Sequence, residues 1–278
     1  MSAYFPIPPS ITFDEEKGKI IGSITFLNYP NNRLKQILRK NKYTDIVYLG
    51  IYCFRNKKWI LLETFICKPI EFIEISRSNL DVDDHEMVLA VPKKLNDFHE
   101  TYSNLPRPDL LKIDNSNVAQ RASLNFSYLN STTSYQGEYP SIMSDLKRGS
   151  LLTFDTLKQT NLSSIKSFLI LMNISKNNNS SEPIKIEYFN PKKRHKVQKI
   201  YARRNFFSVF ETFEYEKYLD KPSTVFFRCN EASFIPLMLS IDVNTSQLSV
   251  EHTHPPTEYF FGTQKLSYVN LIKKEWID

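Results

Sequence analysis

Short runs rich in Ile, Val, Phe, Tyr and Thr recur along the 278 residues, separated by clusters of turn-forming residues. Alternating apolar and polar positions mark a strand with one covered face, and runs apolar at both parities mark a strand covered on both. The pattern predicts strands over 19–27, 45–54, 59–67, 71–76, 87–91, 123–129, 151–154, 168–174, 184–189, 206–213, 224–228, 236–241 and 248–254. Strands in such number predict a mostly β chain, with antiparallel sheets in a sandwich-like or barrel-like arrangement.

The strongest local pattern is a hairpin over 45–67 that turns at Asn56-Lys57. A two-residue turn sets Cys53 opposite Ile60, Ile51 opposite Leu62 and Val47 opposite Ile66. One face then carries Val47, Leu49, Ile51, Cys53, Ile60, Leu62 and Ile66, and the other carries Tyr48, Tyr52, Phe54, Trp59, Leu61 and Phe65. Two apolar faces predict a central position, with the aromatic face as a second core layer. In this register Cys67 opposes Ile46, so no cross-strand disulfide joins it to Cys53.

Helical spacing is scarce. A short early helix is predicted over 31–41, with Leu34, Ile37 and Leu38 on one face, and a weaker one over 93–104. A C-terminal helix over 263–276 would turn Leu266, Val269, Ile272 and Trp276 inward. The proline-containing stretch 104–117 suggests a division into an N-terminal β unit, 1–115, and a C-terminal β unit with its helix, 116–278. One continuous domain is the alternative.

Composition removes several function classes. Six glycines cannot assemble a G-x-G-x-x-G or Walker A phosphate loop. Three cysteines without a C-x-x-C pair suit a reducing compartment. The first basic residue is Lys17, and no apolar run approaches the roughly 18 residues of a spanning helix. The expectation is a cytoplasmic protein with no membrane segment. No G-x-S-x-G is present, and the cysteines stand in apolar surroundings that disfavour the thiolate.

Three constellations carry candidate chemistry. Ser134-Tyr135-Gln136-Gly137-Glu138-Tyr139-Pro140 holds a rare glycine among tyrosines, an amide and a carboxylate. Tyr135, Gln136, Glu138 and Tyr139 can stack on and hydrogen-bond a polar ligand such as a carbohydrate. Gly137 is expected to take a positive φ in a tight turn. The plainer reading is a hairpin loop whose tyrosines cover the sheet edge.

His252, His254 and Glu258 spell H-x-H-x-x-x-E. Alternate strand residues share a face, and two imidazoles with a carboxylate suit Zn²⁺ or Fe²⁺ with open positions. The spacing resembles the first metal motif of the cupins over seven residues. Ser246 stands where that motif has glycine, and no histidine follows Glu258, so the chain is not assigned to that family. The alternative is a structural histidine pair at a strand end, closed by Pro255-Pro256.

The net charge of +6 is concentrated in 190–204, where Lys192, Lys193, Arg194, Lys196, Lys199, Arg203 and Arg204 meet no acid. With Tyr201, Phe206 and Phe207 nearby, this stretch suits a nucleic acid or another polyanion, or else forms a solvated hairpin loop. The acidic cluster Asp81, Asp83, Asp84 and Glu86 is a candidate partner for it, and is expected to hold a proton on His85 to higher pH. The leading expectation is a β-sandwich protein that binds a small polar ligand or a protein partner. A metal-dependent enzyme and a polyanion binder are the alternatives.

Overall fold

In a computed structural model, the structure describes residues 3–14, 16, 18–28, 46–69, 71–93, 95, 97–108, 112–113, 116–117, 121–137, 139–141, 144, 151–156, 164–176, 183–190, 195–211, 223–228, 232 and 234–252. The chain forms two compact units, Met1–Ile142 with Lys176–Asn179, and Met143–Ser175 with Ser180–Asp278. Both are built from antiparallel strands, as the sequence pattern predicts.

The first unit contains β1 (Ala3–Pro6), β2 (Ile11–Asp14), β3 (Gly18–Leu27), β4 (Val47–Arg55), β5 (Lys58–Cys67) and β6 (Phe72–Ser76). After a 3-10 turn at Arg77–Asn79 come β7 (Val88–Lys93), β8 (Thr101–Tyr102), β9 (Lys112–Ile113), β10 (Ser116–Asn117), β11 (Arg121–Tyr128), β12 (Ser131–Gln136) and β13 (Tyr139–Pro140). One sheet runs β13-β1-β7-β4-β5-β8, and another runs β12-β11-β3-β2 with β6 also paired to β3. The buried cluster of Phe5, Ile7, Ile24, Phe26, Val47, Leu49, Ile51, Cys53, Ile75 and Val88 draws on both sheets, so they face each other across one core. This is a sandwich, and it follows from alternation: Ile24 and Phe26 of β3 turn inward while Thr25 and Leu27 turn out.

The hairpin turn is as predicted. Arg55 pairs with Lys58, and Asn56 and Lys57 take φ of 51° and 61°, a left-handed pair that matches the twist of the strands. The register is corrected beyond it. Cys53 opposes Ile60, but Ile51 opposes Glu63 and Val47 opposes Cys67, because a bulge admits Leu62 as an extra residue. The bulge reverses the parity of β5. Phe65 and Cys67 turn toward the core with Ile60 and Leu62, and Ile66 turns out to 55% exposure. The aromatic face of β4 and β5 is a second layer in part. Tyr52 and Trp59 are fully buried, and Tyr102 meets Tyr52 edge-on with centroids 5.5 Å apart. Cys53 and Cys67 are both reduced and buried.

Close approach explains one glycine. A Cβ on Gly22 would lie 2.1 Å from the Pro8 carbonyl oxygen, so the N-terminal segment crosses β3 where only glycine admits it.

The second unit has two four-stranded sheets. Strands β14 (Leu151–Thr156), β15 (Ile165–Asn173), β16 (Ile184–Asn190), β17 (His195–Ala202), β18 (Phe206–Glu211), β19 (Ser223–Arg228), β20 (Ile235–Asp242) and β21 (Gln247–His252) order as β14-β19-β16-β17 and β18-β15-β20-β21. Strand β15 is buried at both parities from Phe168 to Asn173, as its unbroken apolar run requires.

Among the described residues of 93–104 no helix forms. Strand β7 runs to Lys93 and β8 pairs with β5. The predicted helices over 31–41 and 263–276 lie outside the described residues. No helix among the described residues is long and apolar enough to cross a membrane.

Ile51 is fully buried on a strand paired on both sides. Ile51→Ala is expected to destabilise the protein by about 2–5 kcal/mol in urea unfolding. A loss below about 0.5 kcal/mol would place β4 outside the core. Gly22→Ala is expected to lower the melting temperature more than Ala substitution of exposed Thr12, since backbone stands in its way.

Candidate functional site

Four strands of the first unit, β12, β11, β3 and β6, lie side by side, and their register aligns polar side chains in rows. Gln136 opposes Ser123, Ser123 opposes Thr25, and Thr25 opposes Glu74. One step along, Ser134, Asn125, Ser23 and Ser76 align in the same way. At the other end Leu27 opposes Phe72. A period of two puts all of these on one face and sends Leu124, Ile24 and Ile75 to the core face. Each row spans roughly 14 Å, three strand spacings.

Thr25, Leu27, Phe72, Ala122, Ser123 and Gln136 line an open groove of about 500 Å³ on this face. Phe72 is 68% exposed and Leu27 37%, so a ring and an aliphatic chain stand in water beside hydroxyl and amide groups. A hydrogen-bonded chain runs along the same face beside the groove. The Ser23 hydroxyl donates to Glu74 Oε1 at 3.0 Å, and Asn125 Nδ2 donates to Ser23 Oγ at 3.4 Å and to Thr25 Oγ1 at 2.9 Å.

Strand β6 is anchored by the residue that follows it. Arg77 is buried, and its guanidinium donates to the carbonyls of Pro8 (2.8 Å), Ile7 (3.1 Å), Asp83 (2.7 Å) and Glu86 (2.7 Å). Burial lowers its pKa from the ordinary arginine range, opposed by the charges of Asp84 and Glu86. Glu86 in turn accepts from Arg55 Nε at 2.6 Å, Arg55 Nη2 at 2.8 Å and the Asp83 N–H at 2.9 Å. Burial alone would raise the Glu86 carboxyl, but these bonds and the charges of Arg55 and Arg77 outweigh it and hold the group below its usual range.

The acidic cluster is thus engaged within its own unit. Asp84 pairs with Lys19, and Glu86 and Asp81 pair with Arg55. The expectation for His85 is reversed: its pKa is lowered, first by burial and then by Arg77 and Lys19, with Asp84 opposing. Burial also raises both described thiols, Cys53 to about 11, so neither is a ready nucleophile.

The sequence-predicted residues separate. Gln136 lines the groove, Tyr135 stands on the opposite parity of β12 across from Leu124, and Tyr139 is fully buried on β13 beside Tyr4. Glu138 lies outside the described residues. Gly137 does not take a positive φ. It is needed for space, since a Cβ there would lie 2.4 Å from a Leu124 methyl and 2.5 Å from the Tyr135 ring.

His252 ends β21 opposite Leu237, and His254 and Glu258 lie outside the described residues. Among the described residues no group of three metal-ligating side chains forms. Much of the basic stretch is strand. Lys196 and Lys199 lie on β17, with Glu187 opposite Lys199. Arg203 is exposed, its guanidinium 5.2 Å from the Phe206 ring centre, Arg204 follows it, and Lys192, Lys193 and Arg194 lie outside the described residues.

Thr25, Ser123 and Phe72 were not singled out from sequence. Their signal is parity: Phe72 sits opposite in phase to Ile73 and Ile75, and Thr25 to Ile24 and Phe26. No protein-family model matches the sequence, and no curated protein or solved structure is significantly similar to it.

The lowered Glu86 pKa predicts acid lability. A carboxyl with a depressed folded pKa adds stability above its unfolded value, near 4.5, and loses it as pH falls through the folded one. Glu86→Gln is expected to cost about 1–3 kcal/mol at neutral pH, the value of charged hydrogen bonds. It is also expected to flatten the fall in stability below pH 4.5, read from urea melts across pH.

Proposed function

We propose that this chain is a binding protein whose groove on β3, β6, β11 and β12 holds a small polar ligand with an apolar face, a carbohydrate ring above all. One observation carries the reading: the exposed Phe72 ring stands beside the Thr25 and Ser123 hydroxyls and the Gln136 amide. A sugar has C–H faces that stack on an aromatic ring and hydroxyls that exchange hydrogen bonds at its rim. The two buried, reduced thiols support a reducing, cytoplasmic setting. Binding suits the groove, whose described lining combines hydroxyl and amide groups with exposed apolar side chains.

The test is calorimetric titration with soluble neutral oligosaccharides. Phe72→Ala is expected to weaken binding by roughly three- to tenfold, the value of an aromatic contact, with the melting temperature unchanged because the ring is exposed. Oligosaccharide binding unaffected by Phe72→Ala, or no binding at all, would overturn the assignment.

A further inference from the structure

The hydrogen-bond chain beside the groove has a direction, and one carboxylate sets it. Ionised Glu74 only accepts, so the single Ser23 hydroxyl proton points to Glu74 Oε1 at 3.0 Å. Ser23 Oγ is then an acceptor toward Asn125, which fixes the amide with Nδ2, the donor, facing it. The second Nδ2 proton reaches Thr25 Oγ1 at 2.9 Å. Thr25 therefore accepts from Asn125, its neighbour on the same face, and its own proton is left to donate to an acceptor in the groove that Thr25 lines. Asn125 is buried and cannot turn without breaking both bonds.

We infer that Asn125 is a positioning residue that presents Thr25 as a hydrogen-bond donor, so the groove selects an uncharged saccharide by an acceptor oxygen on its ring or rim. This rests on the reading of the groove as a carbohydrate site. Charge points the same way. None of the six lining residues is basic, and Glu74 closes the Gln136–Ser123–Thr25 row with a carboxylate, so a uronate or sulfated sugar set against Thr25 meets repulsion there, with Arg121 in the neighbouring row opposite Leu27.

The experiment is titration of the full chain with soluble oligomers of glucose, mannose and N-acetylglucosamine, and with oligogalacturonate as the acidic probe. Four variants are compared: Thr25→Ser, Thr25→Val, Asn125→Asp and Phe72→Ala. Thr25→Ser keeps the donor and is expected to bind within about twofold of wild type. Thr25→Val removes it, and Asn125→Asp turns the Thr25 proton inward, since a carboxylate only accepts. Each is expected to weaken a neutral oligomer by roughly three- to tenfold.

Thermal melts check folding of each variant. Thr25→Val keeps the test decisive if Asn125→Asp fails to fold, because its shape is conserved at a partly exposed position. Binding weakened by Phe72→Ala but unchanged by Thr25→Val would overturn the donor assignment and leave the carbohydrate site standing. Oligogalacturonate binding as tightly as any neutral oligomer would overturn the selection for uncharged sugars. No neutral oligomer bound by wild type would overturn the site itself.

Discussion

The guanidinium of Arg77 is the constraint on which the first unit depends. An unsolvated charge inside a protein costs several kcal/mol unless its hydration is replaced. Here four backbone carbonyls replace it, drawn from Ile7-Pro8, Asp83 and Glu86. Those carbonyls belong to segments far apart in sequence, so satisfying one side chain fixes where the N-terminal segment and the 81–87 loop lie against the end of β6. Gly22 completes the arrangement from below by letting the Pro8 backbone pass against β3. Packing, charge and backbone geometry thus converge on one crossing.

The groove inherits its order from that crossing. Phe72 and Glu74 lie on β6, the short strand that runs directly into Arg77. A five-residue edge strand has little stability of its own. Anchored at its end, it holds Glu74 in line with Thr25 and Phe72 in line with Leu27. The polar face is then a set of side chains spaced by the sheet itself, with rows set by strand separation and columns by the two-residue repeat. A site of this kind is stiff because its framework is hydrogen-bonded backbone.

Each predicted strand has its counterpart, while the short β1 and β2 were not read from the sequence although Phe5, Ile11 and Phe13 are buried. What escaped was set by one-residue events or by weak contrast. The Leu62 bulge leaves no mark in composition, yet it exchanges Ile66 for Phe65 and Cys67 at the core. Strand β12 reads STTSYQ and passes for a loop, because none of its six side chains is fully buried, whereas its partner β11 buries Ala122, Leu124 and Phe126. Strand β17 was hidden because Val197 and Ile200 stand at opposite parity among charged and polar neighbours, with Val197 the extra residue of a bulge between Lys196 and Gln198. Of the candidate ligand cluster only Gln136 reaches the groove, because neighbours in sequence point to opposite faces of a strand. Thr25, Ser123 and Phe72 come together only through pairing across about 100 residues of chain, which no local motif records.

The Leu62 bulge also sets how this hairpin responds to changes in length. Strand β5 reads its residues as odd and even, and the inserted position shifts that count once between Leu61 and Glu63. Loss of Leu62 itself would remove the extra position and leave Glu63 opposite Ile51, Phe65 opposite Leu49 and Cys67 opposite Val47, so the faces of β5 would stay as they are. Loss of one residue beyond it, with the bulge retained, would instead turn the rest of the strand to the other face. In evolutionary terms the bulge is a point at which the hairpin can lose a residue and keep its faces, and its lineage is constrained by parity as much as by hydrophobicity.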